Sequence, residues 1–221
     1  AMEAAQAFAK HLSEAGITLD GETTRAAASG GAKEVASVSS APLSDVLSVS
    51  LKTSDNTMTE VEGRLVAVQA KETSDFAGAS KAVLAQLRED GFDTSGVTLQ
   101  DSSGLAKGNK VPARLLAQIL TKAAGGEGGS VGRTLIADLP VAALDGTLKK
   151  RLHDTTAAGT VRAKTGSLEQ TASLAGVVTT ADGRQLAFAV LANNIPAGTS
   201  ETVAAVMDNH FVAPLASCGC S

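Results

Sequence analysis

Two short stretches gather side chains that can do chemistry. Ser54-Asp55-Asn56 brings a hydroxyl, a carboxylate and an amide within three residues. Lys164-Thr165-Gly166 follows a cation with a hydroxyl and then with a position that has no side chain. Val161 and Ala163 alternate with polar neighbours, the period of a half-buried strand. Lys164 therefore falls on the face opposite Val161 and Ala163. Thr165 puts its hydroxyl on the apolar face or at the strand's rim, and Gly166 leaves the backbone open to close approach. A cation, a hydroxyl and open backbone at one strand end can hold a carboxylate and an oxyanion together.

The surrounding pattern predicts the elements that position these residues. Ala5, Phe8, Ala9 and Leu12 have helical spacing over residues 2–15, and Gly16 is a natural C′ residue. Residues 17–19 and the stretch around Val35 and Val38 read as short extended pieces, with a small, polar loop or loose strand over 21–31. Pro42 opens a helix at its first position, with Leu43, Val46, Leu47 and Leu51 on one face. Val61, Leu65, Val66 and Val68 carry a second helix to about Lys71. Ser54-Asp55-Asn56 thus lies between two helices, where side chains can point into a cleft. Phe76, Val83, Leu84 and Leu87 form another helix with Ser74 as N-cap and Gly91 as stop. Residues 97–99 are a short strand candidate, 101–105 are turn chemistry, and Pro112 starts a helix with Leu115, Leu116, Ile119 and Leu120 buried. Residues 125–129 read as a flexible loop. Strands follow at 160–164, 171–179 and 185–192, the last two joined by a hairpin turn at Ala181-Asp182-Gly183. A helix over 201–212 closes the chain. This order predicts an α/β (α+β) domain with helices packed on an antiparallel sheet.

Composition narrows the function. The 221 residues are 43% hydrophobic and 19% charged, a globular balance. A net charge of -4, no Trp or Tyr and five Phe argue against a nucleic-acid partner. No apolar run is long enough to span a bilayer, and residues 1–15 lack the basic start and apolar run of a signal peptide. Cys218 and Cys220 read as two thiols in a frayed tail. With His210 as the only other ligand type nearby, they make no metal site, and no cofactor is expected. His11, His153 and His210 are far apart and read as surface or capping residues.

The two triplets and their flanking blocks resemble the D-alanyl-D-alanine carboxypeptidases of the class C low-molecular-mass penicillin-binding type. Ser54-Asp55-Asn56 and Lys164-Thr165-Gly166 match two of the three motifs shared by penicillin-binding proteins and class A β-lactamases. Ser40-Ala41-Pro42-Leu43 with Lys52-Thr53 is similar to that family's helix entry. Asp101-Ser102-Ser103-Gly104-Leu105 resembles its Asp-Gly-Ser-Gly-Leu loop, with Ser102 in place of Gly. Asp145-Gly146-Thr147-Leu148, Arg162 to Leu168, and Asn193-Asn194 resemble its later blocks. The resemblance covers nearly the whole chain. It implies a serine β-lactamase/DD-peptidase-like transpeptidase fold and a carboxypeptidase or endopeptidase acting on peptidoglycan peptides that end in D-Ala-D-Ala. It also implies β-lactam binding and a place outside the cytoplasmic membrane. Carried over by residue, Ser54, Asn56 and Lys164 are the catalytic positions. Thr165, Gly166 and Ser167 are the substrate-binding ones, and the Ser167 N–H is an oxyanion donor. The third motif, Ser-x-x-Lys, is absent: no serine here has a lysine three residues on. Residues 1–221 are therefore expected to be the C-terminal portion of such a catalytic domain, partnered by an N-terminal portion that carries the nucleophile. The alternative reading is a binder of muropeptides or β-lactams that lacks one. Ser103 reads as a turn residue.

Overall fold

The computed structural model describes residues 2–27 and 30–219. The chain divides into two units, Ala1–Ser40 and Ala41–Ser221. The first holds α1 (Met2–Glu14), which buries none of its residues. Gly16 ends it at φ 85°, as its position predicts. The pieces expected at 17–19 and around Val35 and Val38 form no strand. Val35 and Val38 are 98% and 96% exposed, so no apolar neighbour holds the backbone extended there.

The second unit opens with α2 (Leu43–Thr53) and α3 (Asn56–Gln69). Pro42 is the N-cap of α2 rather than its first residue, and Pro112 likewise caps α5 (Ala113–Ala124). Asp55 caps α3, its Oδ1 accepting the Met58 N–H at 2.9 Å. In α4 (Phe76–Glu89) the cap is Asp75, not Ser74. The Asp75 carboxylate accepts the Gly78 N–H at 2.8 Å and is itself held by the Thr73 hydroxyl. That third-residue contact is the one an N-cap must make. α3 and α4 pack through Ala67, Ala79 and Ala82, whose small side chains let the axes approach. Residues 97–99 form one bridge, Thr98 with Lys110, not a strand. α6 (Gly129–Asp138) is a helix that the glycine-rich sequence conceals, because its start is Gly-Ser and only Val131, Leu135 and Ile136 mark its apolar spacing.

Three antiparallel strands, β1 (Val161–Leu168), β2 (Thr171–Thr179) and β3 (Gln185–Asn193), pair in chain order. The register sets Lys164 opposite Ala175 and Val161 opposite Val178. β1 runs four residues beyond its expected end, through the Lys-Thr-Gly triplet. One sheet face presents Val161, Ala163, Leu174, Val178 and Phe188 to Val212 and Ala216 of the C-terminal helices, forming the main core. Val177, 2% exposed, lies on the opposite face, where α5 crosses β2 and β3. The closing helix is not continuous. α7 (Ser200–Met207) widens into a π-helical turn at Asp208–Val212 before α8 (Ala213–Ser217). Pro214 has no N–H to continue the ladder, so the helix loosens one turn earlier. Cys218 is disulfide-bonded, which corrects the expectation of a free thiol there; Cys220 lies outside the described residues.

Candidate active site

The sequence between α2 and α3 forces a sharp break. Ser54 is the C-cap of α2 and holds a left-handed backbone at φ 56°, ψ 46°, with its N–H on the Ser50 carbonyl. A residue with a Cβ adopts this conformation at some cost, and here it swings the side chain off the helix. The Ser54 hydroxyl accepts a hydrogen bond of 2.7 Å from the Lys164 ammonium. Lys164 also donates to the Thr165 carbonyl at 2.8 Å. Burial lowers the Lys164 pKa from its ordinary value of 10.5, so its proton is easier to lose than that of an exposed lysine.

Beside this pair the outer edge of β1 is open. Pro140 to Ala142 pairs with only its first half: the Ala142 N–H reaches the Val161 carbonyl at 3.0 Å, and the Ala163 N–H reaches Pro140 at 2.9 Å. By the period of two, the Thr165 and Ser167 N–H groups point the same way as that of Ala163, toward the unpaired edge. Thr165 bonds the Thr147 hydroxyl at 2.9 Å. Gly166 leaves room for the Ser173 hydroxyl on the neighbouring strand, which a Cβ there would force to turn away.

Second contacts fix the frame. Lys52, two residues before Ser54, forms an ion pair with Asp145, two residues before Thr147. Asp145 Oδ1 also accepts the Val141 N–H at 2.8 Å. Burial pushes the Asp145 pKa up, but the Lys52 and Val141 hydrogen bonds and the Lys52 charge outweigh it, and the carboxyl titrates below its ordinary value. The 101–105 loop is a closed turn. Asp101 accepts from the Gly104 and Ala106 N–H groups and from the Asn109 amide at 2.9, 2.6 and 2.6 Å. Glu60 Oε1 receives the Ser102 and Ser103 N–H groups. Arg151 grips the buried Asp208 through two bonds of 2.8 and 2.6 Å, tying the segment after Thr147 to the π turn.

Ser54, Asn56, Lys164, Thr165, Gly166 and Ser167 all line one cleft of about 1600 Å³. Thr147, Ser103 and Glu62 share it, and none of these was selected from sequence. Lys52 and Asp145 frame it from behind; their blocks were legible, but nothing in a spacing of 93 residues announces the ion pair. His11 pairs with Glu14 inside α1, and His153 and His210 are exposed. Among the described residues no group of His, Cys, Asp and Glu is arranged to hold a metal ion. Among them, too, no helix is long and apolar enough to cross a membrane.

The D-Ala-D-Ala carboxypeptidase 3 (S13) family model matches residues 1–213. The chain belongs to this peptidase family. Carboxypeptidase DacB of Mycolicibacterium smegmatis is 41% identical over 225 residues, 100% of this chain and 47% of that protein. The D-alanyl-D-alanine carboxypeptidase of an Actinomadura species is 34% identical over 206 residues, 85% of this chain and 36% of its own length. Penicillin-binding protein 4 of Haemophilus influenzae, solved with a β-lactam, superposes with a TM-score of 0.78 at 30% identity, over 90% of this chain and 46% of that one. At 19% identity and a TM-score of 0.56, the TLA-1 β-lactamase shares the fold alone. The chain spans about half the length, or less, of the curated relatives it matches. The expected fold class and the resemblance read from the two triplets agree with these findings.

Proposed function

We propose that residues 1–221 are the C-terminal portion of the catalytic domain of a serine-type D-Ala-D-Ala carboxypeptidase or endopeptidase. It acts on peptidoglycan stem peptides by acyl transfer, is inhibited by β-lactams, and works outside the cytoplasmic membrane. The observation that carries this reading is the 2.7 Å contact between Lys164 and Ser54 at the open half of β1. A peptide laid along that edge adds a strand, its backbone meeting the Thr165 and Ser167 N–H groups. Lys164 and the Thr165 hydroxyl hold its terminal carboxylate. The Asn56 amide binds the substrate's peptide group. The Ser167 N–H is one donor to the oxyanion, in a site where fixed dipoles replace water. Ser54, touching Lys164, relays protons to and from the Ser-x-x-Lys pair, which an N-terminal portion contributes.

The second reading, a non-catalytic binder of muropeptides or β-lactams, is favoured by the absence of Ser-x-x-Lys from these 221 residues. Intact-mass measurement with penicillin separates the two. This chain alone is expected to gain no acyl mass and to release no D-alanine from a peptide ending in D-Ala-D-Ala. Removal of a catalytic serine costs about 10⁶-fold even in a complete site. Supplying an N-terminal portion with Ser-x-x-Lys is expected to give both activities, weakened by Lys164→Ala. An adduct on this chain alone, mapped to Ser54 or Ser103, overturns the assignment of roles. No adduct after complementation favours the binder.

A further inference from the structure

Behind the cleft, where α3 and α4 meet the 101–105 loop, lies a second cavity of about 220 Å³. Glu62, Ser80 and Ser102 line it, and each has a buried polar atom without a hydrogen-bond partner: Glu62 Oε1, Ser80 Oγ and Ser102 Oγ. Ser80 is only 6% exposed. Buried polar atoms are nearly always paired, so three orphans around one cavity mark a place where a guest can hydrogen-bond. Glu62 Oε2 is satisfied by the Ser50 hydroxyl at 3.1 Å, which leaves Oε1 as its free acceptor. Burial raises the Glu62 pKa, and its charged neighbour is another carboxylate, Asp55. Among the described residues no Lys, Arg or His pairs with it. The site therefore favours a cation. Val66, Val83 and Leu99 supply apolar wall. Gly63 supplies room, since a Cβ there would collide with Ser102 Oγ. Thr59, Glu62 and Ser102 also line the main cleft, so the cavity adjoins it.

We propose that this cavity binds a primary alkylammonium group. An –NH₃⁺ head has three donors and no acceptor, matching Glu62 Oε1, Ser80 Oγ and Ser102 Oγ, and its alkyl stem lies along Val66, Val83 and Leu99. A free amine and an aminoalkyl side chain of a peptide in the cleft share this chemistry.

The test is titration of the ¹⁵N-labelled chain with n-butylammonium chloride, against sodium chloride and 1-butanol. Saturable shifts are expected at the amides of Glu62, Gly63, Ser80 and Ser102. Binding is expected to fall about tenfold or more for 1-butanol and for Glu62→Gln, the loss of a charge-assisted contact. Should Glu62→Gln not keep the wild-type fold, Ser80→Ala decides, with several-fold weaker binding expected. No saturable shift, equal binding of 1-butanol, or unchanged binding in the deciding variant overturns the proposal. A second arm, which alone rests on the peptidase reading, compares peptides ending in Lys-D-Ala-D-Ala and norleucine-D-Ala-D-Ala. A lysine preference that Glu62→Gln abolishes assigns the amine to a substrate side chain. No preference, with n-butylammonium still bound, assigns it to a free amine.

Discussion

At the scale of the residue, Lys164 carries the clearest signature. Its ammonium keeps two hydrogen bonds, to Ser54 and to the Thr165 carbonyl, yet burial depresses its pKa. The unfolded chain therefore binds this proton more tightly than the folded one. Between the folded pKa and 10.5 the unfolded state holds more protons, so folding stability contributed here rises with pH across that window. Urea unfolding of the wild type and Lys164→Met at pH 7, 8.5 and 10 is expected to move in favour of the wild type as pH rises. A difference that stays flat contradicts the buried, partly dehydrated ammonium. Gly63 gives a second residue-scale outcome. Gly63→Ala pushes against Ser102 in a buried contact and is expected to cost about 1–3 kcal/mol by thermal or urea unfolding.

At the scale of the element, the site depends on where helices stop and start. Asp55 does this for α3 by capping the Met58 N–H. Asp55→Ala is expected to cost about 1 kcal/mol, read from the urea midpoint, and to blur the amide signals of Asn56 and Thr57. Lys52 and Asp145 couple the end of α2 to the turn that carries Thr147. Both side chains are about one-third exposed, so Asp145→Asn is expected to cost under about 1 kcal/mol. Its larger consequence is positional, with amide shifts at both Ser54 and Thr147. Shifts confined to residues beside Asp145 would show that the pair does not couple the two elements.

At the scale of the whole second unit, the segment after Thr147 is clamped to the π turn by the Arg151–Asp208 pair, which joins residues 57 apart with Asp208 side-chain exposure of only 8%. Removing one member leaves the other charge buried and unpaired. Asp208→Asn is expected to destabilise the chain by about 3–5 kcal/mol by urea unfolding, with Arg151→Met/Asp208→Met recovering much of that loss. A double variant as unstable as the sum of both singles would refute the coupling.

The sequence alone determined the local patterns. Period-two alternation with a tight turn placed β2 and β3 to within a residue, and glycine or proline marked the ends of α1, α2 and α5. The two triplets and their neighbouring blocks carried the family, because each is written in consecutive residues. Only the tertiary structure decided what those blocks do to one another. The resemblance already set Ser54 and Lys164 in one site, but no local pattern showed that Ser54 would take a left-handed backbone and touch Lys164 directly, since that contact joins a helix end to a strand 110 residues away. Nor did it announce α6, where glycine suppresses the helical signal and packing against α5 and α2 supplies what propensity lacks. The π turn before Pro214 and the second cavity are likewise products of packing. A cavity is defined by atoms that fail to meet, and no local pattern in a sequence records that.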